Sequence, residues 1–314
     1  MSERPTAAEQ AIAAQLKQAY SLYTAGQAGE AEELLQDALC QLDLEGLRVH
    51  PLRVYALNTL RSLYLQLGRF AEAAEAGSRE VALLEEHLGP EHPRVGEPVE
   101  ALALVHYQSR HWAAAEPLFQ RAIDLFRRAG LPGEARSAFT QVALGKCYQR
   151  QGRYAEAAAA YRVALPVFER QQQPPPELVD ALHHLGIAVA RLGDLRQAEG
   201  LLNRALGLFD RVALPRFPQE FLVLVLVLDE LVRVADALRQ PAVAEQYARR
   251  AVALAEAHAP GSTRRCLTPC ATWPAPCRLR GVKPRRPRFY CAHFRQRKRA
   301  TAPGARWSAE YCTI

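Results

Sequence analysis

Gly68-Arg-Phe-Ala-Glu-Ala73 recurs, with one aromatic exchanged for another, as Gly152-Arg-Tyr-Ala-Glu-Ala157. Looser versions surround the pair: Gly26-Gln-Ala-Gly-Glu-Ala31, Arg110-His-Trp-Ala-Ala-Ala115, Gly193-Asp-Leu-Arg-Gln-Ala198 and Arg239-Gln-Pro-Ala-Val-Ala244. The closing Ala falls at 31, 73, 115, 157, 198 and 244, at steps of 42, 42, 42, 41 and 46. A fixed period in this range marks a chain built from stacked supersecondary units. Seven residues past that Ala a second small residue follows, at Ala38, Ala122, Ala164, Ala205 and Ala251; Glu80 breaks the series. Six copies are predicted.

Each copy reads as two helices. Before Gly68, apolar residues recur at helical spacing as Leu57, Leu60, Leu63, Tyr64 and Leu67; after it come Phe70, Ala73, Ala74, Val81 and Leu84. The Gly suits a helix C-terminus that needs positive φ, and the aromatic that follows opens the partner helix. Recurrent small residues let the two helices approach closely. Prolines fall between copies, at Pro90 and Pro93, Pro132, Pro174 to Pro176, and Pro215 with Pro218, and mark the turns between repeats. A two-helix unit cannot bury its own apolar face, so the copies are expected to stack.

The pattern resembles the tetratricopeptide repeat, in the longer form of about 42 residues seen in kinesin light chains. The likeness rests on Ala56-Leu-Asn-Thr-Leu60, Tyr64, Gly68-Arg-Phe70 and Leu88-Gly-Pro-Glu-His-Pro-Arg-Val95, with Ala115-Glu-Pro-Leu-Phe-Gln-Arg-Ala-Ile123 similar to the family's second helix. It implies an all-α, right-handed superhelical solenoid of about six helix pairs over residues 1–260, with an irregular tail at 261–314. It also implies an inner groove lined by each repeat's first helix. On the Gly68 register one row of that groove reads Leu16, Asn58, Glu100, Val142, His183 and Asp229, and the next reads Tyr20, Ser62, Leu104, Lys146, Ile187 and Arg233. Beyond them lie Gln66, Gln108, Arg150 and Arg191. The groove candidates are therefore Asn58, Lys146, Arg150, His183, Arg191 and Arg233. Asn58 is suited to bond a peptide backbone and the cations to pair with acidic side chains. The alternative for the same residues is a solvated helix face. The two-carboxylate clamp of co-chaperone domains is not expected, because the first copy offers Leu16 and Tyr20 where it needs Asn and Lys.

No metal or catalytic centre is expected. His183 and His184 are adjacent and would point about 100° apart on a helix, and no further ligand lies at chelating spacing. His106 and His111 read as packed side chains. Arg61 stands where other copies have Ala19, Ala103, Gly145, Gly186 and Val232, and would either reach out to solvent or loosen its repeat. Cys40 and Cys147 read as small buried hydrophobes. The chain contains no phosphate-binding Gly-rich loop, nucleophile elbow or His-Glu-x-x-His, and no cofactor is implied.

Charge divides the chain. Residues 261–314 carry 13 Lys and Arg against the single acid Glu310, a net +12, while the preceding 260 residues hold 27 basic and 32 acidic side chains. Five of the seven Cys also lie after residue 260, without a Cys-x2-Cys pair, and Cys291-Ala-His293 is a poor zinc half-site. Arg285, Arg286, Arg288 and Tyr290, followed by Arg295, Arg297, Lys298 and Arg299, mix cations with aromatics in the manner of a nucleic-acid contact. Three readings of this tail stand open: a solvated basic extension, an RNA-binding module, and an out-of-frame or alternatively spliced product of a GC-rich gene, since 36 of the 40 basic residues are Arg.

The longest strictly apolar run, Phe221 to Leu228, is far short of the roughly 20 residues that span a bilayer, and Met-Ser-Glu-Arg-Pro lacks signal-peptide character. The expectation is a cytoplasmic, non-catalytic interaction scaffold holding a peptide or helix of a protein partner. RNA association through the tail, or a regulatory piece of a larger protein, is the alternative.

Overall fold

The structure, a computed structural model, describes residues 6–48, 50–171, 175–211 and 218–258. The tail candidates from Arg285 to Arg299 lie outside the described residues. The helices are α1 Ala7–Thr24, α2 Ala28–Leu44, α3 Pro51–Leu67, α4 Phe70–Leu88, α5 Gly96–Gln108 and α6 Trp112–Arg128. They continue as α7 Leu131–Arg150, α8 Tyr154–Glu169, α9 Pro176–Arg191, α10 Leu195–Arg211, α11 Pro218–Ala237 and α12 Pro241–His258. A short 3-10 turn, Pro93–Val95, precedes α5, and no strand occurs among the described residues. The architecture is all-α, six helix pairs.

The recurring Gly forms the turn within each pair. Gly68 has φ 72°, and the Arg69 amide donates back to the Tyr64 carbonyl at 2.8 Å, which satisfies a carbonyl the helix end would leave bare. Two copies keep the same geometry without Gly: Arg110 and Arg239 hold φ 63° and 58°, with His111 and Gln240 amides bonded to the His106 and Ala235 carbonyls at 2.9 Å. The aromatics Phe70, Trp112 and Tyr154 open α4, α6 and α8.

The chain divides into two compact units, one ending at Thr140 and one beginning at Gln141, inside α7. In the first unit α1 packs on α2, α3 on α4 and α5 on α6. Its cores gather Ile12, Leu16, Leu35, Leu57, Leu60 and Leu63 in one cluster, and Val81, Val95, Val99 and Phe126 in another. In the second unit α9 packs between α8 and α10, and α11 on α12, with Val232, Ala235, Ala244 and Ala248 buried together. Within each unit first helices of neighbouring repeats also meet directly, α1 with α3 and α9 with α11. The second helices α2 with α4, and α10 with α12, make no comparable contact among the described residues. These contacts put the first helices on the inner side of the stretches α1–α4 and α9–α12.

Two buried positions, seven residues before the turn residue and nine after it, trade size within each pair. They read Ala19 with Leu35, Ala103 with Phe119, Gly145 with Tyr161, Gly186 with Leu202 and Val232 with Ala248. A Cβ on Gly145 would lie 2.6 Å from the Tyr161 ring, and one on Gly186 2.7 Å from Leu202 Cγ. The second copy inverts the order, with Arg61 opposite Gly77, whose added Cβ would sit 3.0 Å from Arg61 Cδ. Arg61 neither reaches solvent nor hangs loose. It is 8% exposed, and its Nε lies 3.2 Å from Oε2 of Glu80, itself 2% exposed. The residues that break the two small-residue series in this copy are thus partners. Cys147 is buried as expected; Cys40 is exposed, so its reading as a buried hydrophobe is corrected.

Candidate functional site

The inner face of the first unit carries aromatic and amide side chains on α1 and α3 and, further along, an ion pair in which Arg136 Nη2 of α7 lies 3.0 Å from Glu100 Oε2 of α5. Tyr20 and Tyr55 are both exposed, with ring centroids 6.4 Å apart, and Tyr23 packs 5.9 Å from Tyr20. Asn58 lies on α3, one turn beyond Tyr55, and is exposed. Its Nδ2 donates to Glu80 Oε1 at 3.1 Å, while Glu80 Oε2 receives Arg61. One buried carboxylate therefore holds both the amide and the guanidinium.

The inner face of the second unit is ionic. Lys146 on α7 reaches Asp180 Oδ2 on α9 at 2.7 Å, and His184 Nε2 lies 3.4 Å from Asp180 Oδ1. Burial alone would raise the Asp180 carboxyl, but the Lys146 ammonium and His184 override it and hold the group well below the usual carboxylate range. The His184 ring stacks on Tyr161 at 5.9 Å, and its Nδ1 is buried without a hydrogen-bond partner. His183, 5.1 Å from His184 between ring centroids, is buried, and no hydrogen bond is formed by it among the described residues. Burial, helped by His184, lowers its pKa to about 3, so His183 is neutral at ordinary pH. Arg233 on α11 is exposed and pairs with both Asp229 and Glu230. Burial pushes the Glu230 carboxyl up, against the pull of Arg233 and Arg191.

The structure thus brings Lys146, His183 and Arg233 into one electrostatic neighbourhood of the second unit. Arg150 and Arg191 are exposed at the C-terminal ends of α7 and α9. Asn58 belongs to the other unit. Of the acids that accompany the cations, Asp229 stands in the groove row read from the sequence, whereas Asp180 and Glu230 do not, although Asp180 lies one helical turn before His184. Among the described residues no cluster of His, Cys, Asp and Glu could hold a metal, and no helix is long and apolar enough to cross a membrane.

Comparison with known proteins agrees with the helix-pair fold. The tetratricopeptide repeat family matches residues 98–170 and 136–211. A putative kinesin light chain with nearly identical TPR-like repeats from Podosopora anserina superposes with a TM-score of 0.57 at 20% identity, covering 68% of this chain and 99% of that one. BtubC (BKLC) from P. vanneervenii gives 0.59 at 18% identity, with coverage of 82% and 94%. The type IV pilus biogenesis factor PilW gives 0.54 at 16% identity, with coverage of 82% and 99%. No protein of curated function matches the chain in sequence. Identities this low speak to fold. Residues 98–211 match the tetratricopeptide repeat family, and the chain's helix pairs share the fold of the kinesin light chain type of repeat.

Proposed function

We propose that the chain is a non-catalytic adaptor of the cytoplasm that holds an extended peptide or a helix of a partner protein against the inner, first-helix faces of its repeats. Tetratricopeptide repeats serve in general as protein-interaction scaffolds, and the fold supports that much by itself. One observation carries the finer reading. The positions between paired helices are uniformly small or apolar outside the second copy, whereas inner-face positions hold exposed Asn58, Arg150, Arg191 and Arg233, which packing does not require. Lys146 and the buried His183 complete that set in the second unit.

The test is selection of peptides from a random 12-residue library on the immobilised full chain. Selected peptides are then measured against an Asn58→Ala/Arg191→Ala variant whose helicity is checked. Both side chains are exposed at the inner face, so the variant is expected to keep its fold and to bind at least about tenfold more weakly. A library that yields no enriched peptide, or peptides that bind both proteins alike, would overturn the reading.

A further inference from the structure

We propose that the buried Glu80, held by Arg61, is a positioning residue: it fixes the Asn58 amide so that its carbonyl oxygen faces the inner surface as an acceptor for a backbone N–H of the bound partner segment. The inference rests on the inner-face reading above. An Asn side chain can present either end, and the two ends are decided by what surrounds them. Glu80 Oε1 sits 3.1 Å from the Asn58 amide nitrogen, and a carboxylate only accepts. The NH2 must therefore face Glu80, and Oδ1 is left on the exposed side. Arg61 Nε at 3.2 Å occupies the other carboxylate oxygen, and both charged residues are buried, 8% and 2% exposed, so the carboxylate has little freedom to turn.

The device belongs to one copy. The positions equivalent to Glu80 are Ala38, Ala122, Ala164, Ala205 and Ala251, and those equivalent to Asn58 include no second amide. Nothing in the stacking of helices needs an ion pair there, since five copies close without one. Its presence directly beneath the inner-face amide is what a positioning role accounts for.

The chain contains two asparagines, Asn58 and Asn203, which makes the proposal directly readable. Asn203 is the reverse case: its Oδ1 accepts the Tyr247 hydroxyl at 2.9 Å. In full-length protein labelled with 15N-asparagine, the Asn58 NH2 should exchange with water at least about tenfold more slowly than that of Asn203. Arg61→Ala/Gly77→Leu/Glu80→Ala, which copies the first repeat's Ala19, Leu35 and Ala38, should erase that difference while keeping the helices. Equal exchange in the unaltered protein would overturn the proposal. The second readout uses a peptide selected from the 12-residue library, N-methylated at each backbone nitrogen in turn. One N-methylation should weaken binding about tenfold in the unaltered chain and have no effect in Asn58→Ala or in the triple variant. If Arg191→Ala alone abolishes binding and Asn58→Ala changes nothing, the adaptor reading stands and the positioning role falls. If Asn58→Ala weakens binding and the triple variant does not, Glu80 and Arg61 have only a structural part and the proposal also falls.

Discussion

The α3–α4 and α9–α10 pairs close the same crossing by opposite means. In α9–α10 the first helix gives up its side chain entirely at Gly186, and Leu202 fills the space against the bare backbone. In α3–α4 the first helix sends in Arg61, the second gives up its side chain at Gly77, and Glu80 neutralises the guanidinium. The summed volume stays similar while the chemistry changes. An apolar closure cannot be left unsatisfied by losing one member, because it leaves a gap and nothing more. An ionic closure can. Removing either partner strands the other in a place where water does not reach.

The largest effect follows from that asymmetry. Arg61→Ala should destabilise α3 and α4 by about 3–5 kcal/mol, because it leaves Glu80 buried without its main partner. Hydrogen exchange of the α3 and α4 amides reads this locally, which suits a repeat array better than a global midpoint. The triple change Arg61→Ala/Gly77→Leu/Glu80→Ala replaces the ionic closure by the apolar one and should bring those amides back to within about 1 kcal/mol of the unaltered chain. If Arg61→Ala alone costs no more than the triple change, the pair is screened by water and the contrast between the two crossings disappears.

A smaller effect tests the apolar side. Ala at Gly186 puts a Cβ 2.7 Å from Leu202 Cγ, and Ala at Gly145 puts one 2.6 Å from the Tyr161 ring; both neighbours are fully buried and neither contact is the far end of a flexible chain. The cost of overpacking, roughly 1–3 kcal/mol, exceeds the gain of about 1 kcal/mol that Ala has over Gly in a helix interior. Both variants should therefore lose stability in the second unit, by thermal unfolding or local exchange. A gain at either position would mean that the helices are free to separate and that close approach is not what the glycine serves.

The two crossings also show how much could be read in advance. The hexamer from Gly68 to Ala73 carries turn, cap and partner helix in adjacent residues, so it was legible: positive φ at Gly68 and an aromatic opening α4 are local consequences of local sequence. Arg110 and Arg239 in the same left-handed conformation show that the bonding pattern of the turn, more than the residue, is what recurs. Arg61 and Glu80 are both anomalies in the sequence, each against its own column of equivalents. The pairing of two opposite charges in one copy was the available signal. The acid beside Lys146 is harder to find. Asp180 meets Lys146 across two helices of different repeats, and no periodicity within one copy encodes that meeting. Cys40 failed for a related reason, since its burial depends on which side of α2 is covered.

The smallest effect sharpens the comparison most, because it asks whether Gly77 is needed in the way Gly186 is. A Cβ at Gly77 would meet Arg61 Cδ at 3.0 Å and Leu102 Cδ1 at 3.2 Å, tighter than usual contact but short of the clash at Gly186. Arg61 has several torsions that can shift by a few tenths of an ångström without releasing Glu80, and Leu102 offers the end of its side chain. The helix-propensity gain of about 1 kcal/mol then offsets the strain, and Gly77→Ala should change the stability of α3–α4 by no more than about 0.5 kcal/mol. A loss as large as that of Gly186→Ala would show that the Arg61 stem is held as rigidly as a packed Leu. The ionic crossing would then be as specific in shape as the apolar one, and the charge would have been added to the close packing rather than substituted for it.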